Sequence, residues 1–583
     1  MFYSEVADTF EAMDITSKRL ELTQLLAELL KKTQADLVDK MVYLIQGKLY
    51  PDFMGIEIGL ADKLVMRSIS SVTGKSLVDI EQVYHSFGDI GTAAENILKI
   101  KKQTTLFSEK LTVSRVYRIL DNIARTTGRG SLEIRLRHLN SLLSDATPKE
   151  ARYILRTVTG RLRLGIADYT VLDALALAFT GDKKNRPLIE RAYNISSDLG
   201  LVAKSILLEG LKGVENFSIK VGNPVRPMLA ERLESASAIL EKMGSACALE
   251  YKLDGERIQI SFGSDKFVMF SRKLENITDQ YPDVANLARL NLKSKEYIIE
   301  GEVVAIDISS GNYLPFQELM HRRRKYGVAQ AIKKYPVSIV FFDILFHEGN
   351  DLTGLPYEYR RGLLKKIVSE GPQIKVVPSI IATTIKEVDD YMAKAISDGC
   401  EGLVIKDLKS VYRAGAREFA WIKLKHEYSG SLSDSLDLIV VGAFYGHGRR
   451  KGKYGAFLLA AYNDANDVFE TVCKVGTGIT DENLDKFLKI LTTIKLSSIH
   501  SKVVSNIKAD VWFTPKIIIE VIASEITLSP IHTVALNKVR EGSGLALRFP
   551  KFTGRIRDDK NIRDSTLSNE ILQIYNSQSK LSN

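Results

Sequence analysis

Lys252 stands where a lysine could do covalent chemistry. The stretch Leu249-Glu250-Tyr251-Lys252-Leu253-Asp254-Gly255-Glu256-Arg257-Ile258-Gln259-Ile260 places it between acids. Read as a strand, the stretch puts Glu250, Lys252 and Asp254 on one face by the two-residue period. Asp254-Gly255 reads as a turn, and Ile258 and Ile260 begin a second apolar face. Three charges on one strand face are costly to bury unless something pairs with them. Taken alone, the stretch also fits a solvated edge hairpin. A lysine is a nucleophile only as the free amine, so its neighbours decide whether it reacts.

Five later segments enlarge the set. Ser271-Arg272-Lys273 adds a second arginine. Ile298-Ile299-Glu300-Gly301-Glu302-Val303-Val304-Ala305 is an apolar strand interrupted by acids. Phe341-Phe342-Asp343-Ile344-Leu345 is apolar with a lone acid. Glu401-Gly402-Leu403-Val404-Ile405-Lys406-Asp407 is a buried-type strand with charged ends. Trp421-Ile422-Lys423-Leu424-Lys425 sets Lys423 and Lys425 on one strand face. Each charge taken singly suits an internal salt bridge. Together they supply a nucleophile, two carboxylates, several cations and an aromatic face, as a nucleoside-triphosphate site with a divalent metal requires. No G-x-x-x-x-G-K-[ST] loop and no dinucleotide fingerprint occurs, so side-chain cations must hold the phosphates.

The elements that must position these residues fall into three regions. Residues 1–220 read as helical, with Leu22, Leu25, Leu26, Leu29 and Leu30 at helical spacing and Thr16 or Ser17 as N-cap. Gly222-Asn223-Pro224-Val225-Arg226-Pro227 breaks that pattern. Residues 221–428 alternate strands and helices, with strands over 297–306, 338–345, 402–406 and 419–424. Past Tyr428-Ser429-Gly430-Ser431, residues 429–583 carry short β-like runs at 436–444, 456–462 and 517–522, which suggests a small barrel.

A chain of 583 residues exceeds one core, so two to four domains are expected. No apolar run is long enough to span a bilayer, and the first residues lack a signal-peptide pattern. Cys247, Cys400 and Cys473 form no metal-ligand spacing, which fits a reducing, intracellular setting. The net charge of +10 favours a polyanionic partner. Arginines crowd the later helices at 115, 118, 125, 129, 135, 137, 152, 156, 161 and 163. Two glycine turns lie among them, 127–131 and 160–165. Arginine beside glycine turns suits contact with a phosphate backbone, although a charged helix face is usually only solvated. Lys102-Gln103-Thr104-Thr105-Leu106-Phe107-Ser108 resembles a sliding-clamp-binding peptide; it also reads as a loop anchored by Leu106 and Phe107.

The six segments, taken in order with Arg555-Ile556-Arg557-Asp558-Asp559-Lys560 as the sixth, resemble the motif set of the ATP-dependent DNA ligases. The likeness covers essentially the whole chain. It includes Pro227-Met228-Leu229-Ala230, His321-Arg322-Arg323-Arg324-Lys325-Tyr326 and, in the helical region, Arg161 to Asp168. The compact length resembles the archaeal branch. The resemblance implies a multidomain fold: an all-α DNA-binding domain (1–220), an α+β nucleotidyltransferase domain of the ATP-grasp-like ligase type (221–428) and an OB-fold β-barrel (429–583).

It also implies roles. Lys252 would take AMP from ATP. Glu250 would contact the adenine and Phe342 would stack on it. Arg257 and Arg272 would hold ribose and phosphate, Arg272 later meeting the DNA 5′-phosphate. Glu302 would meet the ribose and, with Glu401, bind Mg²⁺, with Mn²⁺ as the alternative. Arg417, Lys423 and Lys425 would hold phosphates, and Arg557 and Lys560 the departing pyrophosphate. Glu300 stands where many relatives have Asp, a change expected to be tolerated because Glu302 carries the role. The implied activity is nick sealing in double-stranded DNA during replication, recombination and repair. The expected protein is a monomer, cytoplasmic and nucleoid-associated, with nicked DNA as partner, a sliding clamp engaged through Gln103–Phe107, and no membrane. Two rivals stay open: an RNA ligase or mRNA guanylyltransferase with the same lysine chemistry, and a non-catalytic clamp-associated DNA-binding scaffold.

Overall fold

A computed structural model describes residues 1–100, 109–244, 246–264, 266–308, 311–314, 316–322, 328–425, 435–446 and 452–580. The clamp-like segment and the boundary at 428 lie outside the described residues. The chain divides into two compact units, residues 1–80 with 90–426, and residues 81–89 with 427–583. No described helix is long and apolar enough to cross a membrane.

The first unit begins with α-helices up to Glu215. Their starts follow local chemistry. Thr112 accepts from the Arg115 N–H, and Thr147 with Glu150 forms a capping box before Pro148. The expected N-cap at Thr16 or Ser17 is displaced: the helix Arg19–Lys32 has Lys18 as its N-cap, without a side-chain bond. The Thr16 hydroxyl instead donates to Glu21 and accepts from the Lys18 N–H, two positions too early to cap. The leucine stripe lies in the core, with Leu25 half-buried.

Among the described residues eleven strands follow in two sheets: β1 (Leu229–Arg232), β2 (Cys247–Lys252), β3 (Glu256–Gly263), β4 (Lys266–Ser271), β5 (Tyr297–Ala305), β6 (Val337–His347), β7 (Asn350–Asp351), β8 (Ile374–Val376), β9 (Ser379–Ala382), β10 (Gly402–Asp407) and β11 (Arg417–Lys425). One sheet has the order β1-β11-β10-β2-β9. The other runs β4-β3-β5-β6-β7, with β8 beside β6. The chain does bend at Asp254-Gly255, but the alternative reading of an edge hairpin does not hold, because β2 and β3 belong to different sheets and the bend carries the chain between them. A Cβ at Gly255 would stand 2.3 Å from the Val303 carbonyl oxygen, so close backbone packing requires glycine there.

Alternation decides which faces are dry. Cys247, Leu249 and Tyr251 of β2 join Leu403 and Ile405 under the helices Ala236–Met243 and Ile385–Ser397. Ile258 and Ile260 of β3 pack with Val284, Ala285 and Ala288 of the helix Pro282–Asn291. Burying each such aliphatic side chain contributes about 1.5–3 kcal/mol. The other faces carry the polar residues.

The second unit is a β domain: β12 (Leu436–Tyr445), β13 (Tyr454–Asn463), β14 (Val468–Val475), β15 (Lys495–Leu496), β16 (Val503–Val504), β17 (Val511–Phe513), β18 (Ile518–Ile522), β19 (Glu525–Ser529), β20 (Gly544–Arg548) and β21 (Lys551–Ile556). Its main path is β15-β17-β12-β13-β14-β16, with β18 joining β12 to β21 and β19 paired to β20. Phe457, Phe487, Phe513 and Phe552 fill its core.

Candidate functional site

Three antiparallel strands rule the floor of a cleft. Across β2, β10 and β11 the register aligns Lys252 with Gly402 and Lys425, Glu250 with Val404 and Lys423, and Ala248 with Lys406 and Trp421. The facing sheet sets Arg257 opposite Glu302 and Gln259 opposite Glu300. The cleft is about 420 Å³, within the range of small-molecule sites. It is lined by Glu250, Lys252, Arg257, Arg272, Glu302, Phe342, Glu401, Arg417, Lys423 and Lys425, together with Asp254, Lys406 and Trp421. These include every residue marked from sequence except Arg557 and Lys560.

The Lys252 amine meets Glu401 Oε2, and Lys425 Nζ reaches the same oxygen at 3.1 Å. Burial would raise the Glu401 carboxyl, but Lys252, a hydrogen bond with Asp254, and Lys425 hold it down at about 2. Glu302 behaves oppositely. Burial lifts it to about 7, because Glu401 and Asp254 crowd it and Lys252 and Arg257 compensate only in part. Lys423 is lowered by burial and then by the cations Arg417, Lys252, Lys425 and Arg272. One side of the cleft thus has excess positive charge, and the other a carboxylate short of it.

Arg257 is more firmly held than its expected role suggests. Its Nη1 donates to the Met228 carbonyl at 2.7 Å and its Nη2 to Glu300 at 2.8 Å. Its guanidinium lies 5.2 Å from the Phe342 ring centre. Nε of Arg257 and Nε1 of Trp421 are buried without partners among the described residues. Glu300 is 1% exposed and also receives Tyr412 at 2.9 Å and Gln259 at 3.3 Å. It anchors Arg257, a task distinct from that of Glu302. Arg272 and Arg417 are exposed at the cleft, Arg417 donating to the Ala230 carbonyl at 2.9 Å.

Sequence reasoning left four contributors unassigned. Lys406 is 1% exposed, pairs with Glu250 at 2.7 Å and sits 4.2 Å from the Trp421 ring centre. Strand alternation from Lys425 and Lys423 across β10 would have found it. Trp421 follows by the same rule. Tyr357 and Arg361, on the helix Tyr357–Ile367, also grip Glu250, and no sequence signal links them to it.

The arginine-rich helices are only partly open. Arg152 and Arg156 pair with Asp14 at 2.6 and 2.7 Å, and Arg156 is buried. Arg115 holds Asp145 at 2.5 Å. Arg125 pairs with Asp121, and Arg161 with Asp62. The expectation of phosphate contact is corrected for Arg152 and Arg156, which bind the helix Pro148–Val158 to the first helix. Arg118, Arg129 and Arg137 are exposed. Gly128, Gly130, Gly160 and Gly165 all have positive φ, with open space where a side chain would stand.

Arg557 and Lys560 lie in the second unit. Both bind Asp437, at 2.8 and 2.7 Å, and Arg557 also pairs with Asp559 at 2.9 Å.

Three family models match in chain order: DNA ligase N terminus over residues 1–176, ATP dependent DNA ligase domain over 227–425, and ATP dependent DNA ligase C terminal region over 450–560. A DNA ligase of Cenarchaeum symbiosum (strain A) is 49% identical, covering 100% of this chain and 99% of that protein. A DNA ligase of Nitrosopumilus maritimus (strain SCM1) is 48% identical with the same coverage. DNA ligase 2 of Thermofilum pendens is 49% identical over 99% of this chain and 98% of its own. A solved structure titled Pmar-Lig_PreS3 shares the fold with a TM-score of 0.56 at 16% identity, covering 96% of this chain and 99% of that one. With near-half identity to archaeal relatives along its whole length, the chain belongs to the ATP-dependent DNA ligases.

Proposed function

We propose that this DNA ligase seals nicks through a lysyl-AMP formed at Lys252. The observation that carries the reading is the Lys252 amine at Glu401, in a cleft that also gathers the like charges of Arg272, Arg417, Lys423 and Lys425, which repel one another. A triphosphate would relieve that repulsion. Glu250 and Phe342 receive the adenine, and Glu302 the ribose. Arg257 would meet the ribose and α-phosphate, and its buried Nε–H has no partner among the described residues. Arg272, Arg417, Lys423 and Lys425 hold phosphate oxygens.

The unprotonated Lys252 Nζ attacks the α-phosphorus, the bond to pyrophosphate breaks, and the amine proton passes to solvent. A 5′-phosphate oxygen of the nick next attacks the same phosphorus and releases Lys252. The 3′-hydroxyl then attacks the activated 5′-phosphate, and AMP leaves.

The donor set suits a hard divalent cation. Glu302 and Glu401 offer only oxygen, and both line the one cleft. Mg²⁺ bound there, or Mn²⁺ in its place, would stabilise charge on the phosphoryl oxygens. Residues 1–220 would grip the DNA backbone, 221–428 carry nucleotidyl transfer, and 429–583, as an OB-type barrel, bring Arg557 and Lys560 to the pyrophosphate. The expected partner is nicked duplex DNA bound by a monomer, with a clamp engaged through Gln103–Phe107.

The test is incubation with each α-labelled nucleoside triphosphate and Mg²⁺. Acid-labile, alkali-stable label from ATP is expected on the protein, and nicked DNA should discharge it as free AMP while the nick is sealed. Label from GTP would point to cap-type transfer, and no label to a scaffold.

A further inference from the structure

The cleft wall behind Glu250 includes two groups, Tyr357 and Arg361, that lie outside the six segments. Glu250 is 2% exposed. Its Oε1 accepts from the Tyr357 hydroxyl and from Arg361 Nη1 at 2.7 Å. Its Oε2 pairs with Lys406 at 2.7 Å. Tyr357 and Arg361 stand one turn apart on the helix Tyr357–Ile367, so one face of that helix meets one carboxylate. The helix is itself pinned. The Tyr357 N–H donates to the Ser410 carbonyl at 2.8 Å, and Arg361 Nη2 to the Val377 carbonyl at 2.8 Å. Val377 and Glu250 both line the cleft.

We propose that Tyr357 and Arg361 are positioning residues that set the choice of nucleobase by fixing Glu250 as an acceptor aimed into the cleft. The proposal rests on the reading of Glu250 as the base contact. An ionised carboxylate has about four acceptor positions and no donor. Three are occupied here, which leaves about one for a ligand. Adenine offers an amino donor on its Watson–Crick edge where guanine has a carbonyl acceptor. A fixed acceptor therefore welcomes the first and leaves the second facing an oxygen without a proton. Sites built around a substrate's hydrogen-bonding group reject analogues lacking it far more strongly than apolar pockets do. Without Tyr357 or Arg361, the carboxylate is held mainly by Lys406 on the neighbouring strand and loses its aim.

The experiment measures covalent labelling of the full chain by α-labelled ATP and GTP over a concentration series with Mg²⁺. The proteins are wild type, Tyr357→Phe, Arg361→Gln and Arg361→Lys. The ATP-to-GTP ratio of kcat/KM should fall at least about tenfold in Tyr357→Phe and Arg361→Gln. Arg361→Lys should lie between them and wild type, since it keeps the charge but not the fork. Equal losses on both nucleotides, with the ratio at the wild-type value, would reduce the pair to a structural role and overturn the proposal. If Arg361→Gln fails to fold, Tyr357→Phe decides, because it removes a single oxygen. Absence of label on the wild-type protein would sink the lysyl-AMP reading itself, an outcome distinct from an unchanged ratio.

Discussion

Glu401 holds Lys252 twice. Its backbone N–H donates to the Lys252 carbonyl at 2.9 Å, and its carboxylate meets the lysine's own amine. Lys252 is therefore held at its backbone and at the tip of its side chain by one residue, with Lys425 sharing the acid. Lys252→Arg should abolish the covalent adenylate, because a guanidinium stays protonated. Intact-mass measurement after incubation with ATP checks this; an adenylated Lys252→Arg protein would assign the nucleophile elsewhere.

Glu300 gathers Arg257, Gln259 and Tyr412 around one buried carboxylate. Removing one member of a buried ion pair costs about 3–5 kcal/mol. Glu300→Gln should lower stability by about 3 kcal/mol, read from urea unfolding. Glu300→Asp keeps the charge and should cost clearly less. Equal losses in the two variants would mean that packing, not charge, matters at this position.

Among the helical arginines the structure separates two populations. Arg118→Ala, Arg129→Ala and Arg137→Ala, made together, should reduce the salt slope of nicked-DNA binding by up to about 0.9 per arginine. Arg156→Ala should leave that slope unchanged and destabilise the fold by about 3 kcal/mol, since it strips a buried partner from Asp14. A slope that responds to Arg156 and not to the exposed three would reverse the assignment.

Arg557→Ala with Lys560→Ala should suppress self-adenylation yet spare sealing of a nick already adenylated at its 5′-phosphate. Only the first step contains pyrophosphate, whose charge these cations would stabilise. Single-turnover sealing of the two substrates side by side is the measurement. Equal loss on both would tie the residues to DNA, or to their bond with Asp437.

Gly255→Ala is a small change with a large expected effect. The added Cβ would lie 2.3 Å from the Val303 oxygen and 2.8 Å from Glu302 Cγ. Overpacking of this kind costs about 1–3 kcal/mol. It should also displace Glu302 and so slow adenylation. Normal stability and rate would show that the bend yields freely.

Much of the cleft was legible because its residues alternate along short strands. Period two puts Glu250 with Lys252 and Lys423 with Lys425, and the apolar remainder shows which face is dry. Strand limits were close, as in 419–424 against Arg417–Lys425. Two kinds of fact were hidden. The partners of Glu250 on a distant helix depend on tertiary packing, to which local sequence is blind. The structural part played by Arg152 and Arg156 was hidden for the same reason: Arg156 and Arg118 look alike in sequence, and only the position of Asp14 tells the buried one from the exposed one. The turn at Asp254-Gly255 was legible, but not that it joins two sheets rather than two paired strands, with Gly255 letting those sheets approach.

The register of β2, β10 and β11 also acts as an integer. A slip by one residue would turn every aligned cation to the opposite face and drive leucines into the cleft. Misfolding at these strands therefore yields dead molecules rather than slow ones. In a damaged preparation, the fraction of chains that accept one AMP would fall while the survivors keep their full rate, so burst amplitude, not turnover, reports the health of the protein.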